Sequence, residues 1–271
     1  MRVYFAYWAD MEDLLKETNA RVLISYANPT DPDKRNPSIP SGFSDVMIDS
    51  GAYSVAQKTC GRDVTVESYS FWLQQMLPKH PEVSLYANLD VVWGGKAWWV
   101  EDEREWNPEQ GLKNLRYMEA QGLHPLPVWH MGESLRYLSY YCDNYEYVGI
   151  GGVFQLTRTV LKKNWEYIAQ TYPNNKFHIF AVGMSAPFAF QAFQPTSIDN
   201  SSWMSPVRWG TGESEESGVP KHIVYEQEVR DAIRVDHEVA REKLKETILG
   251  LKRLETLDWS KLNKGYQKIL L

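Results

Sequence analysis

Eight short apolar runs recur along the chain, and segments with helical spacing lie between many of them. The runs occupy residues 2–8, 21–27, 45–51, 84–90, 126–130, 147–152, 177–183 and 197–201. Each run is rich in β-branched or aromatic residues, and several end in Gly, Asp or His. Continuous apolar runs are typical of strands buried on both faces, as in a parallel sheet.

The segments between the runs carry the spacing and the start signals of helices. Asn107 and Pro108 are typical of an N-cap and a first helical residue, and Thr65 is a second candidate cap. Residues 134–142 and 157–171 also have helical spacing. Alternation of about eight strands with helices predicts a (β/α)8 TIM-like barrel of the α/β class. An open doubly wound α/β sheet is the alternative that fits the same pattern.

Two segments depart from the alternation. Residues 27–43 are rich in proline and polar residues, and residues 206–221 are rich in Gly, Ser and Glu, so both predict loops. From Val229 onward, apolar residues at helical spacing predict a long amphipathic stretch. We therefore predict a barrel over residues 1–205, with a loop and a C-terminal helical extension packed on it over residues 206–271.

The composition excludes several classes of protein. With 271 residues, 43% of them apolar, the chain can bury a sizeable core. No apolar run approaches the roughly 18 residues of a membrane span, and the N-terminus has no signal-peptide pattern. Two cysteines, Cys60 and Cys142, form neither a disulfide framework nor a Cys-rich zinc site, which predicts a cytoplasmic protein without bound metal. The net charge of −6 argues against indiscriminate nucleic-acid coating but allows a local basic patch.

Three aspartates, Asp49, Asp90 and Asp199, stand at the ends of apolar runs. In a parallel barrel the reactive groups lie at the carboxyl ends of the strands. Because burial of an unpaired carboxylate is expensive, three together favour function over the alternative that each caps a helix or binds loop amides. Two aspartates facing a sugar can transfer a glycosyl group, one as nucleophile and one as proton donor and acceptor. A third can accept hydrogen bonds from adjacent N–H groups of a planar heterocycle.

Further residues near the run ends fit a site for a planar base. His130 ends one run, and the pair Gly151 and Gly152 lets a backbone amide approach a ring edge that a side chain would block. The aromatic rings of Tyr53 and Trp203 are candidates for stacking on a base. For each residue taken singly, core packing or a glycine turn is the alternative.

Three motifs resemble those of the tRNA-guanine transglycosylases, in the order expected of that family. They are DSGAY at residues 49–53, GIGGV at residues 149–153 and SID at residues 197–199. The resemblance runs from about Val46 to Trp203 and is greatest to the short phage-type, DpdA-like branch, which inserts 7-deazaguanines into DNA. It implies exchange of a guanine in a polynucleotide for a free 7-deazaguanine such as preQ0, without a cofactor.

The resemblance also implies roles for individual residues. Asp199 corresponds to the nucleophile, and Asp49 to the general acid/base. Asp90 corresponds to the aspartate that accepts from the ring N–H and exocyclic amine of guanine, and Gly152 to the glycine whose amide meets the guanine carbonyl. His130 stands where the tRNA enzymes usually carry Gln. The other substrate-binding candidates flank these positions: Ser50, Tyr53, Gly151, Val153 and Trp203.

The chain departs from the tRNA enzymes after the nucleophile, where those enzymes carry a zinc subdomain of three Cys and one His. Here no cysteine follows Cys142. Since that subdomain supports RNA binding and the dimer, its loss favours DNA over tRNA. Val153, beside the 7-substituent of the base, favours a nitrile over an aminomethyl group. Phosphate contacts are predicted from basic residues near the barrel mouth and the late loop: Lys58, Arg62, Arg158, Lys162, Lys163, Arg208 and Lys221.

Three other functions remain open from the sequence. A tRNA-guanine transglycosylase that lacks the zinc subdomain would keep the same chemistry on RNA. A retaining glycoside hydrolase uses the same two-carboxylate logic, and the 11 tryptophans would suit sugar stacking. A non-catalytic binding protein on a decayed barrel would form no covalent adduct with nucleic acid.

Overall fold

Eight parallel strands in the described part of the chain form one curved sheet. The computed structural model describes residues 1–27, 38–56, 64–91, 107–153, 156–182, 189–190, 192–216 and 219–257. The strands of the sheet are β1 (Arg2–Ala6), β2 (Arg21–Ser25), β3 (Val46–Asp49), β4 (Val83–Tyr86), β5 (Val128–His130), β6 (Tyr147–Gly151), β7 (Lys176–Ile179) and β8 (Ser197–Asn200).

The order of the strands is that of a barrel. It runs β4-β3-β2-β1-β8-β7-β6-β5, so the first strand pairs with the eighth. The remaining two edges meet just beyond β4, where Ala87 and Leu126 form a parallel bridge. There the amide of Asn88 donates to the carbonyl of Leu126 at 2.9 Å. The predicted (β/α)8 barrel is therefore confirmed. The open doubly wound alternative is wrong, because in that fold β1 and β8 would not pair with each other.

Helices follow most of the strands and begin where the sequence predicts them. Thr65 forms a capping box with Ser68, and Asn107 accepts from the amide of Gln110 at 3.0 Å. Thr157 caps a third helix. The helices are α1 (Glu12–Glu17), α2 (Ala52–Ala56), α3 (Val66–Met76), α4 (Pro108–Ala120), α5 (Leu135–Asn144), α6 (Arg158–Thr171), α7 (Ser205–Trp209), α8 (Gln227–Val235) and α9 (His237–Lys252).

The alternation of side chains along each strand decides which ones face the barrel interior. On β1, Val3 and Phe5 join the large outer core beneath the helices, whereas Tyr4 packs inside with Leu23 and Met47. By the same period of two, Asp49 follows Met47 on the inner face. The strands therefore deliver side chains of alternating direction, and those at the carboxyl ends converge on the barrel axis.

The segment after β8 differs from the prediction. Residues 206–221 were expected to form a loop, but they contain most of α7 and an antiparallel hairpin of β9 (Thr211–Glu216) and β10 (Val219–Val224). The loop prediction is wrong because the two segments pair with each other as a separate two-stranded sheet, which packs against α9. Most of the predicted loop at 27–43 lies outside the described residues.

The long amphipathic stretch is divided into two helices at Asp236. The Asp236 carboxylate accepts from the amides of Glu238 at 2.9 Å and Val239 at 3.3 Å, so it caps α9 and ends the run of α8. No helix among the described residues has the length and apolarity needed to cross a bilayer.

Helix α9 packs against the strands as the eighth helix of a barrel does. Its apolar face is buried in the same outer core as the strands. Beyond its end, Glu255 accepts from the Val3 amide at 2.9 Å and pairs with Arg21, which places it at the start of the strands. The Lys252 ammonium donates to the Thr18 carbonyl at 2.6 Å. The segments on either side of residue 205 thus share one hydrophobic core.

Because the buried face of α9 is part of the barrel's hydrophobic core, truncating a side chain on that face should destabilise the whole fold. Ile248→Ala removes a side chain that is 0% exposed, and we expect the free energy of unfolding to fall by about 2–5 kcal/mol. The control, Leu249→Ala, removes a neighbour that is 42% exposed and should change it by less than about 0.5 kcal/mol. Urea denaturation followed by circular dichroism measures both. Equal effects, or a separate transition for the C-terminal helices, would contradict the shared core.

Candidate active site

The carboxyl ends of the strands bring the three predicted aspartates into one electrostatic neighbourhood. Asp49 ends β3, Asp199 lies in β8, and Asp90 follows β4. The charges of Asp90 and Asp199 both act on Asp49 strongly enough to raise its pKa. These strands are not all neighbours in the sheet, so it is barrel closure that brings the three carboxylates together.

Asp49 is the carboxylate whose protonation is most perturbed. Burial, and then the negative charges of Asp90 and Asp199, raise its pKa to about 7, against a partial compensation by the amide of Gly51. That amide donates to Oδ2 of Asp49 at 3.0 Å. Near neutral pH the group can therefore both hold and release a proton, as a general acid/base requires.

The glycine in the DSG motif has a steric explanation. Gly51 has φ of +79°, and a Cβ built there would lie 2.2 Å from the Cβ of Ala27. Only glycine fits this left-handed turn and close approach. The turn is what points the Gly51 amide back at Asp49.

Asp90 is held by two donors and forms one end of a buried relay. The Ser50 hydroxyl donates to its Oδ1 at 3.1 Å, and Nε2 of His130 lies 2.9 Å from its Oδ2. The other ring nitrogen of His130, Nδ1, lies 2.8 Å from Oε1 of Glu133. Burial lowers the pKa of His130, but the hydrogen bonds to Asp90 and Glu133 outweigh it and raise the pKa to about 9. At neutral pH the ring is therefore an imidazolium between two carboxylates.

Glu133 was missed by sequence reasoning. Its side chain is only 3% exposed, and its Oε2 is buried without a hydrogen-bond partner among the described residues. A detectable signal was present, since an acid three residues after a strand-end histidine can fold back onto the ring.

Gly151 pairs with His130 across β5 and β6, and Gly152 follows it. The two glycines have different structural roles. A Cβ at Gly151 would lie 2.5 Å from Cδ2 of His130, so the imidazole occupies the space that a side chain would need. Gly152 has φ of +72°, a left-handed conformation that favours glycine. Val153 follows and is buried. Gly151 therefore lies against the His130 ring, whereas the Val153 side chain packs in the outer core.

Asp199 is bound by groups from the neighbouring strand β7 and the turn after it. Its Oδ1 accepts from the amide of Ala181 at 2.8 Å and lies 3.3 Å from Nε2 of His178. Burial lowers the pKa of His178, more than the Asp199 carboxylate raises it, so this ring is neutral. Sequence reasoning missed both residues, because His178 was hidden inside an apolar run and Ala181 acts only through its backbone.

The two predicted stacking residues have opposite environments. Tyr53 lies on α2 and is 51% exposed. Trp203 is 0% exposed, and its indole N–H donates to the carbonyl of Ala6 at 3.0 Å. The Trp203 ring is thus enclosed by protein, whereas the Tyr53 side chain is half exposed.

The predicted phosphate-binding residues are only partly described. Arg208 on α7 is exposed and lies over the ring of Trp8, 4.6 Å from its centroid. Lys162 and Lys163 are exposed on α6, with Lys162 3.8 Å from Glu166. The remaining predictions fall on positions whose placement or side chains lie outside the description: Lys58, Arg62, Arg158 and Lys221.

Metal ligands are not assembled in the described ranges. No group of three or more His, Cys, Asp or Glu side chains among those residues is arranged to hold a metal ion. Cys142 is buried with a free thiol, and Cys60 lies outside the described residues. The predicted lack of zinc stays a prediction.

Comparison with known proteins gives little independent information. No family model matches the chain, and no curated protein matches it. Among solved structures, the crystal structure of the YdjI aldolase from Escherichia coli K12 aligns with 10% sequence identity and a TM-score of 0.39, over 95% of this chain and 90% of that one. A likeness this weak carries no argument, so the fold assignment rests on the strand order itself.

Both ring nitrogens of His130 are hydrogen-bonded to carboxylates, so the free energy of unfolding should depend on pH. Its pKa is about 9 in the folded protein and about 6.5 when unfolded, so its contribution is complete below pH 6.5 and is lost as pH rises through 9. His130→Gln has no titrating ring. As pH rises from 6.5 through 9, its free energy of unfolding should therefore fall by about 3 kcal/mol less than that of wild type. Urea denaturation at pH 6 to 10 measures the difference. The control is the exposed His124→Gln, and parallel profiles for wild type and His130→Gln would contradict the assignment.

Proposed function

We propose that the protein is a base-exchange transglycosylase, which replaces a guanine in a polynucleotide with a free 7-deazaguanine such as preQ0. The observation that supports the proposal is the difference in environment among three neighbouring carboxylates. Asp49 has a pKa of about 7, whereas Asp90 and Asp199 are each held by protein hydrogen-bond donors. The pentosyltransferase chemistry needs one proton-exchanging acid and one ionised nucleophile, and this arrangement supports both.

The first half of the reaction removes guanine. An oxygen of Asp199 attacks C1′ of the target nucleotide, and the bond between C1′ and N9 of guanine breaks. The electron pair remains on the base, which takes a proton from Asp49 and leaves. The product is a covalent glycosyl ester on Asp199.

The second half inserts the new base. Asp49, now ionised, takes the N9 proton of the 7-deazaguanine, and N9 attacks C1′. The ester bond breaks and its electron pair returns to Asp199. Two displacements at C1′ give net retention, and all atoms and electrons balance without a cofactor.

Asp90 is the proposed acceptor for the base. Each carboxylate oxygen has two lone pairs, and Ser50 and His130 use one on each oxygen. The remaining two can accept from the ring N–H and the exocyclic amine of a guanine-like base. The His130 imidazolium is a charged donor to Asp90, and charge-assisted hydrogen bonds are the strong ones. The amide of Gly152 is the proposed donor to the carbonyl of the base, and the half-exposed Tyr53 is the proposed stacking residue.

The polynucleotide is proposed to be DNA rather than tRNA. The sequence has no three-cysteine zinc subdomain after Asp199, and a basic residue and an aromatic residue form a pair at the barrel mouth. Arg208 follows the nucleophile strand by a few residues and stacks on Trp8, which is 40% exposed. Such a pair can meet a phosphate and an unstacked base together. Since the chemistry occurs at a base, the target nucleotide must be single-stranded or flipped out.

The nucleophile is tested by Asp199→Asn, which keeps the shape of the side chain and removes its charge. Incubation with guanine-labelled DNA and preQ0 should release labelled guanine from wild type, and the variant should be slower by about a thousandfold or more. Asp231→Asn, the same change on the exposed face of α8, is the matched control and should behave like wild type.

The same assay separates the rival functions. Wild-type turnover by Asp199→Asn would refute the assignment of the nucleophile. Exchange into tRNA with none into DNA, single- or double-stranded, would overturn the choice of polymer and leave the reaction intact. Hydrolysis of an oligosaccharide without base exchange would instead identify a retaining glycoside hydrolase.

The raised pKa of Asp49 predicts how exchange depends on pH. Guanine leaves only when Asp49 carries its proton, so kcat/KM for the polynucleotide should fall as pH rises through about 7. Asp49→Asn cannot donate a proton, and its rate should be about 10²–10⁴-fold lower and without that inflection. Initial rates from pH 5 to 9 measure this. An inflection near 7 that persists in Asp49→Asn would assign the titration to another group.

A further inference from the structure

A buried chain of hydrogen bonds runs through the barrel interior beneath Asp199. His178 Nε2 lies 3.3 Å from Oδ1 of Asp199, and its Nδ1 lies 2.6 Å from Oγ of Ser197. The same Ser197 oxygen lies 2.6 Å from the hydroxyl of Tyr147. His178 and Ser197 are both 0% exposed. At the strand starts, the positive charge of Arg2 acts on the Tyr147 hydroxyl and lowers its pKa against the effect of burial.

The direction of every bond in this chain follows from the carboxylate end. As the proposed nucleophile, the Asp199 carboxylate accepts from Nε2 of His178, and the neutral ring must then accept at Nδ1. Ser197 therefore donates to the ring and accepts from Tyr147. All the donors point the same way, towards the carboxylate.

The imidazole has little freedom to leave this arrangement. The ring of Phe180 meets it edge-on with centroids 4.4 Å apart, and the ring of Tyr4 does so at 6.0 Å. Burial lowers the pKa of His178, which keeps the ring neutral and its two nitrogens distinct. Ser197 thus selects the tautomer, as a buried partner does for the histidine in a hydrolase triad.

Among the described residues, both hydrogen bonds to the Asp199 carboxylate fall on Oδ1, from Ala181 and His178. We propose that His178, fixed by Ser197 and Tyr147, is a positioning residue that directs Oδ2 of Asp199 to the sugar and stabilises the carboxylate as a leaving group. This inference rests on the proposed transglycosylase reaction and assigns residues that neither the sequence motifs nor the comparisons point to.

The two halves of the reaction should respond differently to these donors. When Oδ2 bonds to C1′, Oδ1 becomes an uncharged ester carbonyl, and its hydrogen bonds weaken. When the ester breaks, the negative charge returns to Asp199 and the bonds strengthen again. The donors therefore favour the second half over the first, and their removal should trap the covalent intermediate.

The test measures the two halves separately. Adduct formation is followed by mixing enzyme with guanine-containing DNA and trapping the protein–DNA ester by rapid denaturation. Adduct breakdown is followed by adding preQ0 to the preformed ester. His178→Phe should slow breakdown by about 10–100-fold, the value of a charge-assisted hydrogen bond, while formation slows less and KM for preQ0 is unchanged.

Two milder variants keep the test valid if His178→Phe does not fold. Ser197→Ala and Tyr147→Phe leave the histidine in place and remove only its orienting bonds, so both should slow breakdown in the same direction by a smaller factor. His178→Gln keeps an N–H at the position of Nε2 and should restore breakdown towards wild type. Tyr167→Phe, on the exposed face of α6, is the matched control and should change nothing.

Each outcome supports or overturns the inference. Selective slowing of breakdown, with rescue by His178→Gln, supports it. Equal slowing of both halves in all the variants, or no rescue by a folded His178→Gln, would show that the chain is merely structural. An absence of any adduct with wild-type protein would overturn the proposed function, and the inference with it, and is recognised without any variant.

Discussion

Three carboxylates enclosed at one end of a barrel repel one another, and the rest of the site is arranged around that repulsion. Desolvation and mutual charge both disfavour the ionised forms, so each carboxylate must gain donors or keep a proton. Asp90 gains Ser50 and the His130 imidazolium, and Asp199 gains the Ala181 amide and His178. Asp49 accepts from the Gly51 amide, but burial and the two neighbouring charges prevail, and its pKa rises to about 7. Three identical side chains thus differ in their environments, and Asp49 is the one that can exchange a proton near neutral pH.

Two buried histidines show how the number of carboxylate partners decides the charge of a ring. His130 lies between Asp90 and Glu133, and the pair outweighs desolvation, so its pKa rises. His178 has one carboxylate and one hydroxyl as partners, and desolvation prevails, so its pKa falls. A charged ring thus lies against Asp90, whereas a neutral ring supplies a hydrogen bond to Asp199 without a full positive charge.

The sequence was informative wherever a pattern follows from local physics. Continuous apolar runs marked all eight strands, caps such as Thr65 marked helix starts, and Asp at run ends marked the barrel mouth. It was uninformative where the deciding partner is distant in the chain. The β9–β10 hairpin has polar strands, so only the pairing itself defines it. Trp203 looked like a stacking residue because its sequence neighbours lie at the site, but the ring turns into the core and bonds Ala6. His178 acts through a contact with Asp199, 21 residues away, that no motif encodes.

The two ends of the barrel differ in their charges, and the buried hydrogen-bond chain of Tyr147, Ser197 and His178 runs between them. At the strand starts, Asp45 pairs with Arg21 at 3.1 Å and lies 3.6 Å from Arg2, while Glu255 ties the C-terminal helix to the same arginine. This end holds opposite charges in balance, which favours stability. The strand ends concentrate like charges, which favours chemistry and opposes stability. The charge of Arg2, in the first group, also acts on Tyr147, which hydrogen-bonds to Ser197 beneath Asp199. The paired charges at the strand starts and the shared hydrophobic core thus supply the stability that the like charges at the barrel mouth remove.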